Sequence, residues 1–111
     1  MLIDIPRVCG EDTISREAGK KIRNLILDNW SYKNIAIDFN NKLIGSVSFF
    51  DEALALLIKK GNKKLDEIIK KIRLINLRKE DKDLVNYVFA SRVKEAETAQ
   101  NKKGQVKVAN F

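Results

Sequence analysis

Histidine is missing from this chain altogether, cysteine and proline occur once each, at Cys9 and Pro6, and aromatic residues make up only 7% of it. Without histidine there is no imidazole acid–base chemistry and no Ser-His nucleophile, and a zinc site would have to be built from carboxylates alone. A single cysteine rules out an internal disulfide. Cys9 has no activating neighbour in sequence except Arg7, so it reads as a small, partly buried apolar residue at the end of a strand. No glycine-rich loop of the P-loop or dinucleotide type is present, which leaves a nucleotide or phosphate hydrolase with little support. No apolar run approaches the length of a membrane span, and Met1 to Val8 lacks the basic start and long apolar core of a signal peptide. A cytoplasmic, non-enzymatic protein without metal or cofactor is expected.

What is present suffices for one folded domain. Hydrophobic residues are 44% of 111, enough to fill a core. The domain is expected over residues 1–97, followed by a polar, basic tail over 98–111. In that tail Val106 and Val108 alternate with Gln105 and Lys107, so it is either flexible or adds an edge strand. The net charge is +7, carried in part by pairs such as Lys20-Lys21, Lys59-Lys60, Lys63-Lys64, Lys70-Lys71 and Lys102-Lys103. Scattered pairs without interleaved aromatics suggest solvated faces. The alternative they leave open is a small basic protein that binds nucleic acid, or a phage or host nucleoprotein complex, through these pairs and the tail.

The pattern centres on residues 35–60. Ile35, Ile37 and Phe39 alternate with Ala36 and Asp38 as in a strand covered at least partly on both faces. After Gly45-Ser46-Val47-Ser48 the apolar period changes to that of a helix, with Phe50, Ala53, Leu54, Leu57 and Ile58 on one side and Phe49 and Leu56 widening it. Ser48 followed by Asp51 reads as its capping pair, Ser46 as a turn residue, and Gly61-Asn62 as its end. Before this unit, Leu2 to Val8 reads as a first strand that Pro6 confines to an edge or a strand end, and a helix capped by Asp12, Thr13 or Ser15 runs to about Asp28. Trp30 and Tyr32 follow it, expected to pack against the central strand's end. Beyond it come a short helix over 63–71, a strand over 73–77, and a last helix with Glu80, Asp81 and Asp83 at its positive end and Leu84, Val85, Val88, Phe89, Val93 and Ala96 as its buried stripe. This order is α/β: three to four largely parallel strands with three longer helices and one short one, the Gly45–Ser48 turn lying on the rim where open α/β sheets place ligand sites.

At that turn the chain resembles a family. Gly45-Ser46-Val47-Ser48-Phe49-Phe50-Asp51-Glu52-Ala53, with Asp38 on the strand before it, is similar to the signature of small bacterial STAS-like domain proteins, relatives of sulfate transporter and anti-sigma factor antagonist domains. Ser15-Arg16-Glu17 is similar to their first-helix start, and residues 65–93 to their closing helix, strand and helix, so the likeness runs over residues 2–96. It implies a partner-switching module acting on a histidine-kinase-type ATPase, with Ser46 or Ser48 at the position where the antagonists are phosphorylated. Two residues depart from the antagonist pattern: Gly45 stands in place of an Asp, and Phe49 in place of a small residue.

Physics sets a condition on that switch. Asp51 and Glu52 already place negative charge in the first turn, and a phosphate ~6 Å from each would be repelled by about 3 kcal/mol per unit pair at an effective dielectric of ~20. Modification of Ser46 or Ser48 therefore needs a cationic partner, or acts by expelling one. If Asp51 and Glu52 are exposed, they offer an acidic docking spot in a basic molecule; otherwise they only compensate the helix dipole. The expected partner-binding set is Ser46, Ser48, Asp51 and Glu52.

Overall fold

The computed structural model describes residues 1–99, with side chains through residue 97; the expected tail lies outside the described residues. Three strands, β1 (Leu2–Asp4), β2 (Ile35–Asp38) and β3 (Ile72–Ile75), form an all-parallel sheet in the order β1-β2-β3. The helices are α1 (Ile5–Cys9), α2 (Arg16–Asp28), α3 (Val47–Phe50), α4 (Leu56–Lys59), α5 (Leu65–Lys71) and α6 (Lys79–Ala99). A π-helical stretch, Asp51–Ala55, joins α3 to α4, and the three pieces make one central helix.

Strand pleating sorts the sheet into two faces. Ile3, Ile35, Ile37 and Ile72 are buried on the inner one, where they join Ile22 and Ile26 of α2, Phe49, Phe50, Leu54 and Leu57 of the central helix, and Val85, Val88 and Phe89 of α6 in a single core. The rings of Phe39 and Phe50 meet at 5.9 Å, carrying the end of β2 into the central helix. The opposite face holds Leu2, Ala36 and Arg73 in one row and Asp4, Asp38 and Ile75 in the next, with Leu2 59% exposed. α2 and α6 flank the central helix. That position explains why it is apolar nearly all round.

The first strand is shorter than its apolar pattern suggests. It stops at Asp4, whose carboxylate accepts the Arg7 N–H (3.2 Å) and caps α1, with Pro6 in the first turn. Proline lacks the N–H that an inner ladder position needs but suits a helix start, so Cys9 ends a short helix rather than a strand. Ser15 caps α2, accepting the Ala18 N–H at 3.0 Å, and Asp12 holds the Ser15 hydroxyl at 2.6 Å. Trp30 packs partly buried against the core, under the ammonium groups of Lys63 and Lys71 at 4.7 and 5.1 Å from its ring centre. Tyr32 stays exposed. None of the described helices is long and apolar enough to cross a membrane.

Candidate functional site

The rim at the carboxyl end of β2 is built around a turn that Asp81 holds from below. Its carboxylate, fully buried in the first turn of α6, accepts the Ile44 N–H at 2.7 Å and the Gly45 N–H at 2.8 Å. Gly45 takes a φ of +62°, a region where a side chain would be strained. The chain therefore turns early, and Ser46 rather than Ser48 becomes the helix cap. The Ser46 Oγ accepts the Phe49 N–H (3.1 Å) and donates to the Ile14 carbonyl (2.7 Å), so one hydroxyl both starts the central helix and ties it to the loop before α2. Ser48 lies inside the first turn, half-buried, and its hydroxyl has no hydrogen-bond partner among the described residues. The expected Ser48–Asp51 cap is thus replaced by Ser46, because the tertiary bond from Asp81 shifts the start of the helix.

Asp51 and Glu52 do not form an open acidic spot. Asp51 is 7% exposed, and Arg92 grips it with two bonds, Nε to Oδ1 at 2.8 Å and Nη2 to Oδ2 at 2.6 Å. Glu52 accepts from Arg23 Nη1 at 2.8 Å and Arg16 Nη1 at 3.2 Å, and Arg16 also approaches Asp51 at 3.6 Å. Glu95 extends the chain of charges, bonded to Arg92 at 2.8 Å and Lys59 at 2.9 Å. Positive and negative groups alternate from Lys59 through Glu95, Arg92, Asp51, Arg16 and Glu52 to Arg23, stitching α4, α6, the π-helical stretch and α2 together. The acidic docking spot was conditional on exposure; Asp51 is buried and Glu52 is partly buried, each held by arginines.

The π-helical stretch belongs to this arrangement. A wide turn interrupts the regular helical ladder, and the Glu52 carbonyl accepts Arg23 Nη1 at 2.8 Å, so buried Arg23 satisfies backbone and side chain together. Gly19 lets α2 come close enough: a Cβ there would stand 2.7 Å from the Phe49 carbonyl oxygen and 2.8 Å from Glu52 Cβ. Burial pushes the Asp51 carboxyl up, but the Arg92 bonds and charge, with Arg16, outweigh it and hold the group below the ordinary carboxylate range. Glu52 is likewise raised by burial and lowered further by Arg23 and Arg16. The Asp51 bonds push the Arg92 guanidinium above its usual value. Each group is thus held in its charged form by its partners.

Three large apolar side chains remain exposed on the rim. Ile14, Leu43 and Val47 are 61%, 49% and 43% exposed; the first lends its carbonyl to Ser46, the second lies on the loop leading to Gly45, and the third follows Ser46 directly. Arg16, half-exposed, stands beside Glu52. Sequence reasoning missed these three side chains: a single exposed apolar residue carries no signal in local pattern, and Ile14 stays outside although it falls at helical spacing with Ala18 and Ile22. Among the described residues no group of three His, Cys, Asp or Glu side chains is placed to hold a metal ion. An open groove of about 730 Å³ lies at the far end, where Ile58, Leu65, Val93 and Ala96 are rimmed by charged residues from α5 and α6.

A small parallel sheet with helices gathered on its inner face, and a serine-capped helix leaving the end of the middle strand, define a STAS-like α/β domain. The chain belongs to the family described as STAS-like domain of unknown function (DUF4325), which matches residues 18–82. The match spans Gly19, Arg23, the rim turn, Asp51, Glu52 and Asp81, and ends before Arg92. No curated protein and no solved structure matches the chain.

Proposed function

We propose that this STAS-like domain is a non-enzymatic regulatory module that docks on another bacterial protein, a histidine-kinase-type ATPase, through the rim around Ser46 and Ser48. The observation that carries this reading is the exposure of Ile14, Leu43 and Val47 on the segments that meet at a turn whose nearby acidic groups are already paired with arginines. Apolar anchors beside polar groups with satisfied bonds make a low-cost docking surface, because little has to be desolvated without compensation. Asp51 and Glu52 then serve as the scaffold that holds the rim, while Arg16 is the charged group open to a partner.

Of the two serines, Ser48 is the better switch. Phosphorylating Ser46 would break the cap and its bond to Ile14, whereas Ser48 lies one turn before Glu52 and its Arg16 guanidinium. Arg16 is the cation that a phosphate there requires. The test is calorimetric titration of a purified histidine-kinase-type ATPase from the same cell with native protein and with Ile14→Asp, Val47→Asp and Ser48→Asp forms, each checked for native circular dichroism. Loss of binding in the first two and weakening of at least about tenfold in the third, some 1.4 kcal/mol, is the expected result. Equal binding by all four forms, or none by the native chain, overturns the proposal.

A further inference from the structure

The amino end of the sheet gathers positive charge around the chain's single tryptophan. Because β2 and β3 run parallel, residues 30–34 before the one and Lys71 before the other lie at the same end, opposite the rim. Lys71 is anchored there. Its Nζ donates to the Trp30 carbonyl at 2.7 Å and to the Tyr32 carbonyl at 2.5 Å, and stands 5.1 Å from the indole centre. Lys63, which precedes α5, brings a second ammonium group to 4.7 Å from the same ring.

Two cations held against one indole repel each other, and the ring's negative faces and the two carbonyls offset only part of that repulsion. Neither lysine belongs to the chain of ion pairs that braces the rim. The seam between them therefore stays positive, and Lys33, exposed beside Tyr32, extends it. Such a seam is a preorganised receptor for anions, because its cations are already in place when one arrives.

The aromatics narrow the class of anion. Trp30 is packed against the core, whereas Tyr32, whose carbonyl holds Lys71, is 52% exposed. An open aromatic side chain next to anchored lysines suits a single strand of nucleic acid, with phosphates on the cations and a base on the ring. A membrane contact needs apolar side chains free to insert, and Trp30 is not free. We propose that residues 30–33, with Lys63 and Lys71, bind single-stranded nucleic acid, phosphates lying along Lys33, Lys63 and Lys71 and one base stacking on Tyr32. Scattered lysine pairs carry no such signal in the sequence, since Lys71 and Trp30 are 41 positions apart. The surface lies at the opposite end of the strands from the rim and is independent of any role for it.

Because Trp30 is the only tryptophan, its fluorescence reports on this place alone. The full-length chain is titrated with an oligothymidylate of about 12 nucleotides at low and rising salt. Emission should quench saturably, with an affinity that falls with salt at a log–log slope of about −2, as for roughly three phosphates. Tyr32→Ala should weaken binding at least about fivefold through the lost stacking, and Lys33→Glu with Lys63→Glu at least about tenfold. Lys21→Glu with Lys42→Glu makes the same change in charge beside Cys9, past the carboxyl end of β1, and should weaken it less than about threefold. Each form is checked for native circular dichroism. No quenching at low salt overturns the proposal, as does a Tyr32→Ala form that binds like the native chain. So does equal weakening by the two charge-reversal pairs, which would make net charge the whole attraction. Quenching by phosphatidylserine vesicles and not by the oligonucleotide overturns it too, and would make the surface a membrane contact.

Discussion

Removing Asp51 should be among the costlier single changes in this molecule. At a charge separation of about 4 Å and an effective dielectric of ~20 the Asp51–Arg92 attraction is roughly 4 kcal/mol before desolvation. Breaking a fully buried pair costs about 3–5 kcal/mol and an exposed one about 0.2–1. This pair lies between, with side chains 10% and 25% exposed, and Arg92 keeps Glu95 when Asp51 is gone. For Asp51→Ala we expect a loss of about 2–3 kcal/mol, toward the buried end because two bonds are lost at once. In a domain of this size that lowers the melting midpoint by roughly 10–20 °C. Urea unfolding of the native chain, Asp51→Ala, Arg92→Ala and the double variant gives the coupling directly, expected at about 1.5–2 kcal/mol.

The pH dependence has a definite sign. The folded carboxyl of Asp51 lies below its ordinary value, so its stabilisation is complete above the unfolded pKa of about 3.9 and fades as pH falls through the lower folded value. The gap between native chain and variant should be constant from neutral pH down to about 5 and close in stronger acid. A coupling under about 0.5 kcal/mol, or a gap that widens in acid, would refute the argument that this ion pair braces the π-helical stretch.

Three other outcomes follow from the same geometry. Gly19→Ala should destabilise by about 1–3 kcal/mol in urea unfolding, since overpacking against Phe49 and Glu52 outweighs the roughly 1 kcal/mol gain in helix propensity; a stabilised variant would show that α2 can slide away. Ser46→Ala should cost about 1 kcal/mol and Ser48→Ala no more than about 0.5 in the same assay, the reverse order contradicting the cap. Burial raises the Cys9 thiol pKa, with Asp12 adding to it against Lys21 and Lys42; its alkylation by iodoacetamide should have a pH midpoint above the ~8.5 of a free thiol, and a midpoint below that would reveal an activated cysteine.

Much of the architecture is legible in local pattern. The change from strand to helix period after Gly45, a cap among Asp12, Thr13 and Ser15 with α2 running to Asp28, and a short helix ending at Lys71 before β3 are all carried by neighbours within a few positions. Such features follow from backbone sterics and the need of each amphipathic element to bury one side. The resemblance at Gly45–Ala53 pointed to the right family for the same reason, since a turn and the helix it starts are contiguous in sequence.

The charges were not legible in that way. Whether Asp51 faces solvent or an arginine depends on Arg92, 41 positions away. Asp81, by charge pattern a helix-dipole residue, is the buried clamp that moves the cap from Ser48 to Ser46 across 36 positions. By itself the chain of residues determined an α/β domain with a serine turn beside its middle strand, because periodicity and capping act over one or two turns. Only the packing of α2 and α6 on the central helix decided which serine caps it, which carboxylates are sealed, and which apolar side chains remain outside, because desolvation and ion pairing are set by distances between elements that no local spacing encodes.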